Sequence, residues 1–187
     1  ETPSPVLRIT RESLDATGFT NVDDALRALP INNGQSIVPE GSGNGFASGT
    51  STGNLRGLGN NNTLVLINGR RAVPSGSGAF NGFQSVIDLR QIPTAWIDSI
   101  EVLKDGASAI YGSDAVSGVL NIKFRTDFTG MNVSLEFGNT FGTDSFMKSA
   151  NIIAGGKANK TSVTVFANYL HRNAIKDFDY NFSKTAN

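Results

Sequence analysis

The chain has 187 residues, with 16 Lys+Arg against 16 Asp+Glu and no cysteine. Zero net charge removes the electrostatic footprint of a nucleic-acid binder, and the missing cysteines exclude a disulfide scaffold or a thiolate metal site. No run approaches the ~18 apolar residues of a transmembrane helix, although a β-barrel would leave no such run because its strands alternate apolar and polar residues.

Residues 1–5, ETPSP, form a proline-rich lead-in. Val6 to Thr10 predicts a short strand, and Thr10 or a neighbour can cap a helix through Leu14 and Ala16 that Gly18 ends. Thr20-Asn21-Val22-Asp23 fits a capping box, and Val22, Ala25, Leu26 and Leu29 recur at helical spacing before Pro30. Residues 31–53 are rich in Gly, Ser and Asn and too polar for a core; so long a loop is either functional or disordered. Asn54 to Gly57 predicts a brief strand. Thr63 to Asn68 and Arg70 to Val73 flank Asn68-Gly69, the preferred pair of a two-residue type I′ hairpin. A second Gly/Ser/Phe loop, Pro74 to Gln84, is followed by Ile92-Pro93, with Pro93 placed for the first turn of a short helix carrying Trp96.

Residues 97–124, IDSIEVLKDGASAIYGSDAVSGVLNIKF, organise the rest of the chain. They predict a strand ending at Asp105-Gly106, one helical turn closed by Gly112, and a second strand over Val116 to Phe124. Leu64, Leu66, Ile100, Val102, Val119 and Ile122 are the expected core of one sheet. After Arg125 the pattern changes. Met131, Val133, Leu135 and Phe137 alternate with polar residues, and so do Val163, Val165, Ala167 and Tyr169. Between them Phe146, Ala150, Ile152 and Ala154 alternate less cleanly, with Lys148 on the apolar side and Met147 and Ile153 on the other. A period of two over about ten residues marks a transmembrane β-strand, so three such strands are expected. Val133, Leu135, Val163 and Val165 should face outward, and Ser134, Thr164 and Asn168 inward. Three strands leave open edges that lipid cannot satisfy, so the chain is expected to be part of a larger protein.

The block IEVLKDGASAIYGSDAVSGVLNI (100–122) resembles the end of the plug domain of TonB-dependent outer-membrane receptors. NLRGLGNNNTLVLINGRRAV (54–73) and IDLRQIPTAWIDSIEV (87–102) resemble two further plug blocks in the same order, so the likeness spans roughly residues 6–124. It implies an α+β plug over 1–126, a small mixed β-sheet with short helices and Gly-rich loops. Residues 130–187 would then be the first three antiparallel strands of a transmembrane β-barrel and the start of an outer loop.

The implied function is TonB-dependent uptake of a scarce nutrient across the bacterial outer membrane, with the plug occluding the barrel lumen. The nutrient could be a siderophore, cobalamin, a glycan or a peptide. The implied partners are the TonB–ExbB–ExbD complex, reached through a segment upstream of Glu1, the outer-membrane lipid and a small-molecule substrate. No enzymatic chemistry and no cofactor or metal is expected. In receptors of this kind substrate meets the loops at the plug apex, here Gly41 to Gly53 and Pro74 to Gln84. Phe46, Phe80 and Phe83 would stack on the ligand, the alternative for each being to pin its loop, and Asn44 and Asn81 would supply hydrogen bonds. Arg56 would pair with acidic residues of the barrel wall.

Two other classes compete. Gly49-Thr50-Ser51-Thr52-Gly53 matches the G-x-S-x-G pattern of a serine hydrolase, with Asp88 and the single histidine, His171, following in order. That elbow needs a strand before the serine and a helix after it, whereas a Gly/Ser loop precedes Ser51 and a strand follows. A secreted, soluble β-rich binding module would require residues 130–173 to close on themselves without lipid. Arg70-Arg71 is expected to be solvated or ion-paired. His171, with no second His or Cys, reads as a surface or girdle residue.

Overall fold

A computed structural model of the protein describes residues 6–31, 51–58, 62–73, 87–104, 107–139 and 146–173. The chain divides into a first unit, Glu1–Arg125, and a second, Thr126–Asn187.

In the first unit β1 (Val6–Thr10), β2 (Thr63–Ile67), β3 (Arg70–Arg71), β4 (Ile97–Leu103) and β5 (Gly118–Phe124) form one mixed sheet in the order β1-β4-β5-β2-β3. Only β2 and β5 run parallel. The β2–β3 turn has Asn68 at φ 50° and Gly69 at φ 77°, the two positive values a type I′ turn requires. Its tip is fastened to β5, since Asn68 Oδ1 accepts from Phe124 N at 2.8 Å and Gly69 N donates to Asn121 Oδ1 at 3.0 Å.

The helices begin where side chains can satisfy free N–H groups. Thr10 caps α1 (Arg11–Thr17) by accepting from Ser13 N, and left-handed Gly18 ends it. For α2 (Val22–Arg27) the cap is Asn21, which accepts from Asp24 N at 3.1 Å, one residue later than the expected box. That helix stops at Arg27, short of Leu29.

Both faces of the sheet are used. On one, Ile100, Val102, Leu120, Ile122 and Val65 pack with Leu14 of α1 and Val22, Ala25 and Leu26 of α2. On the other, Leu64, Leu66 and Val119 pack against Ala107 and Ala115, which flank the single turn α3 (Ser108–Tyr111). All six expected core residues are buried, none more than 6% exposed. This explains why β2, TLVLI, reads as a continuous apolar run rather than an alternation.

Three local expectations need correction. Residues 54–57 form no strand: Leu55 makes a single bridge, then Arg56 (φ 59°) and Gly57 (φ 68°) turn left-handed and break the ladder. Pro93 is not inside a helix but caps a 3₁₀ turn, Thr94–Trp96. The last strand of the first sheet starts at Gly118, not Val116, because residues 113–115 form another 3₁₀ turn.

The second unit is an antiparallel sheet of β6 (Gly130–Gly138), β7 (Met147–Ala158) and β8 (Thr161–Arg172). Its register confirms the alternation. Val133 faces Ile152, which faces Ala167; Leu135, Ala150 and Tyr169 form the next row. Ser134, Asn151 and Asn168 lie in a row on the opposite face, where Asn168 Nδ2 donates to Asn151 Oδ1 at 2.7 Å. Residues 126–129 cross the turn-proximal end of this sheet. Thr164 Oγ1 donates to the Thr126 carbonyl at 3.0 Å, and Ser162 Oγ to Asp127 at 3.0 Å. Gly155 admits the crossing, since a Cβ there would lie 2.1 Å from the Phe128 carbonyl oxygen.

Candidate functional site

The substrate-facing residues expected from the sequence, Asn44, Phe46, Phe80, Asn81 and Phe83, lie outside the described residues. What the structure does describe is the chain on either side of the two Gly-rich segments. Ser51 N donates to Asp88 Oδ1 at 3.1 Å, and Leu89 N donates to the Ser51 carbonyl at 2.8 Å. The C-terminal ends of both segments are therefore tied to each other. Arg56 N donates to the Ile31 carbonyl at 2.8 Å, joining the residues that flank 32–50. The Arg56 side chain is exposed.

The tie extends to α2. Ser51 Oγ donates to Asp23, whose other oxygen accepts from Arg27 Nε at 2.9 Å. Ser51 and Asp23 are both buried, and a buried carboxylate needs such partners to stay charged. Asp88 also accepts from Arg90 N and Gln91 Nε2, both at 3.1 Å, which closes the 3₁₀ turn Leu89–Gln91. Residues 51–55 are buried throughout despite four of the five being polar or glycine. Their backbone is accommodated by a hydroxyl chain: Leu55 N donates to Thr63 Oγ1 at 3.1 Å, Thr63 Oγ1 lies 2.8 Å from Ser117 Oγ, and Ser117 Oγ donates to the Asn62 carbonyl at 2.7 Å.

This geometry removes Ser51 as a nucleophile. Its hydroxyl is wholly buried and committed to Asp23, and its link to Asp88 runs through the backbone N–H. No helix follows it. His171 sits exposed on β8. Among the described residues no group of three or more His, Cys, Asp or Glu could hold a metal, and no helix is long and apolar enough to cross a membrane. Arg71 is ion-paired, its Nη1 2.5 Å from Asp114 while Nη2 donates to the Tyr111 carbonyl.

One polar cluster occupies the sheet face that α3 leaves open. Lys123 Nζ donates to Glu101 Oε1 at 2.6 Å and Asn121 Nδ2 to Glu101 Oε2 at 3.2 Å. The Lys123 hydrogen bond above all holds the Glu101 carboxyl below its ordinary value; Asn121 and the charges of Lys123 and Arg8 add to it, and desolvation opposes.

The TonB-dependent receptor plug domain family matches residues 1–119. Among solved structures, the siderophore receptor PirA from Acinetobacter baumannii is 26% identical with a TM-score of 0.68, over 96% of this chain and 26% of that one. The ferric enterobactin receptor PfeA, crystallised with BCV-L6, is 20% identical (TM-score 0.70; 97% and 26%). The unliganded ferric citrate transporter FecA is 21% identical (TM-score 0.67; 92% and 26%). The latter two share the fold. The chain spans about a quarter of the length of these receptors. A mixed sheet with short helices and tied loop ends, matched over most of its length by one domain family, identifies the chain as a member of the TonB-dependent receptor plug domain family.

Proposed function

We propose that the first unit is the plug of a receptor that takes up a scarce nutrient across the bacterial outer membrane, with β6–β8 as the opening strands of its barrel. The observation that carries this reading is a family plug domain continuing directly into strands whose apolar side chains are exposed: Val133, Leu135, Phe137, Val163 and Val165 are 52–70% accessible. A soluble module would have to hide that face, and lipid does not. A ferric siderophore is the first substrate class to test, because the relative from A. baumannii, at 26% identity, is a siderophore receptor.

Substrate would meet the two Gly-rich segments through Phe46, Phe80 and Phe83, with Asn44 and Asn81 giving direction. Arg56 would pair with acidic residues of the barrel wall. Energy would come from the TonB–ExbB–ExbD complex. The test is growth on a panel of ferric siderophores as sole iron source, in cells carrying the complete receptor. Growth that persists without TonB would overturn the energy coupling. Normal uptake by the Phe46→Ala, Phe80→Ala double variant would move the binding site elsewhere.

A further inference from the structure

The apolar face of β6–β8 carries two basic groups, and the register sets them side by side. Lys148 on β7 is directly opposite His171 on β8 and directly opposite Phe137 on β6. The next row inward is Leu135, Ala150 and Tyr169. Lys148 and His171 are both exposed, and Arg172 and Glu136 belong to the other face. Among the described residues no acidic side chain shares this face with the Lys148 ammonium, and His171 beside it offers an imidazole N–H donor. A lysine on a lipid face is also costly at mid-bilayer and tolerated only near an interface.

The strand lengths place the pair at that interface. β7 and β8 are joined by two residues, Asn159-Lys160, whereas β6 and β7 are joined by residues 139–146. In barrels of this kind short turns lie on the periplasmic side and longer loops outside, so Lys148 sits at the outer end. From Gly156, near the turn, to Lys148 the strand rises roughly 27 Å, or about 20 Å along the membrane normal at ordinary tilt, close to the height of an apolar band. Tyr169, one row inward, is at the level where aromatic girdles form.

We infer that Lys148 and His171 form a binding site for the phosphate of an anionic lipid headgroup in the outer leaflet. The long Lys148 stem lies along the apolar face and lifts its ammonium to the phosphate, while the His171 imidazole adds a shorter donor. Phe137 and Tyr169 hold the acyl chains against the sheet beneath. The inference rests on the reading of β6–β8 as lipid-facing.

The test uses the complete receptor in phosphatidylcholine with a small fraction of phosphatidic acid, and native mass spectrometry to count retained lipids. The expected result is preferential retention of phosphatidic acid, weakened about fivefold by Lys148→Gln, the equivalent of ~1 kcal/mol for one lysine near a membrane surface, and further by adding His171→Gln. Lys160→Gln, which removes the same charge at the turn, should leave the preference intact. Equal retention by the wild-type protein and the double variant overturns the site. Displacement of phosphatidic acid by inorganic phosphate would overturn the lipid as its source. A nitroxide at position 165 separates the two levels of the argument. Lipid contact there without a phosphatidic acid preference defeats this inference alone, and absence of lipid contact defeats the reading beneath it.

Discussion

The two sheets use the same residue types in opposite ways. In the first, Leu64, Leu66, Val102 and Ile122 disappear between helices on one face and a tight turn on the other. In the second, Met131, Leu135, Phe137 and Val165 remain more than half exposed while Ser149 and Asn151 on the opposite face are buried. In water such an exposed apolar face would be unfavourable, and in the proposed barrel it would meet lipid. The first sheet is built from close approach, the second from periodicity. Each can be broken in its own way.

The largest effect is expected in the first sheet at Gly118. Its φ is +135°, and a Cβ there would sit 2.6 Å from the Leu103 carbonyl oxygen and 2.9 Å from Leu55 Cδ1. Gly118→Ala therefore combines backbone strain with a clash against the neighbouring strand, for a loss of roughly 3–5 kcal/mol. A denaturation midpoint within error of wild type would show that β4 and β5 are not packed as described.

For the second sheet the sharper probe is polarity. Val165 lies on the exposed apolar face and Thr164 on the opposite one, so in the proposed barrel Val165→Arg should cost roughly 2–4 kcal/mol near the bilayer midplane and Thr164→Arg distinctly less. Equal folding yields of the two variants into vesicles would contradict the alternation.

What is legible in the sequence follows the same division. β6–β8 are visible because a period of two is a local signal, and even Lys148 and Ile153 fall on the faces assigned to them. The hairpin at Asn68-Gly69 and the cap at Thr10 are visible because turn and cap chemistry is local too. Residues 54–57 mislead because Leu-Arg-Gly has strand-like neighbours, while Arg56 and Gly57 turn left-handed directly after the buried Leu55. The Asp23–Ser51–Asp88 tie is not legible at all. Asp23 reads as the last residue of a capping box and Ser51 as the serine of a G-x-S-x-G match, and only contacts between distant residues reveal that both are buried and joined. The sequence signal that could find it is modest: Asp23 and Arg27 stand at i, i+4 on α2.

That tie gives a paired prediction of intermediate size. Ser51→Ala removes the hydroxyl from a buried carboxylate and should cost about 1–3 kcal/mol. Next to it, Thr52 Oγ1 is buried with no hydrogen-bond partner among the described residues, so Thr52→Val should be neutral or slightly stabilising. Thermal melts of the two variants check the contrast, and a Ser51→Ala protein as stable as Thr52→Val would mean that the tie does not hold the loop ends.

The smallest effect belongs to the polar cluster on the open face of the first sheet, and it is read from pH. The Glu101 carboxyl is held below its ordinary value of 4.5, first by the Lys123 hydrogen bond. A carboxyl lowered in the folded state binds its proton less readily there than in the unfolded chain, so its contribution is fully present above 4.5 and fades as pH falls through the lower folded value. Glu101→Gln should remove that fading. Because Lys123 is 42% exposed, water screens the pair and the loss at neutral pH should be only about 0.2–1 kcal/mol. Below the folded value the two proteins should converge, since a protonated carboxyl and the amide that replaces it are both neutral. A stability difference that stays constant from neutral pH down through the acid range would assign the effect to packing of the side chain rather than to its charge.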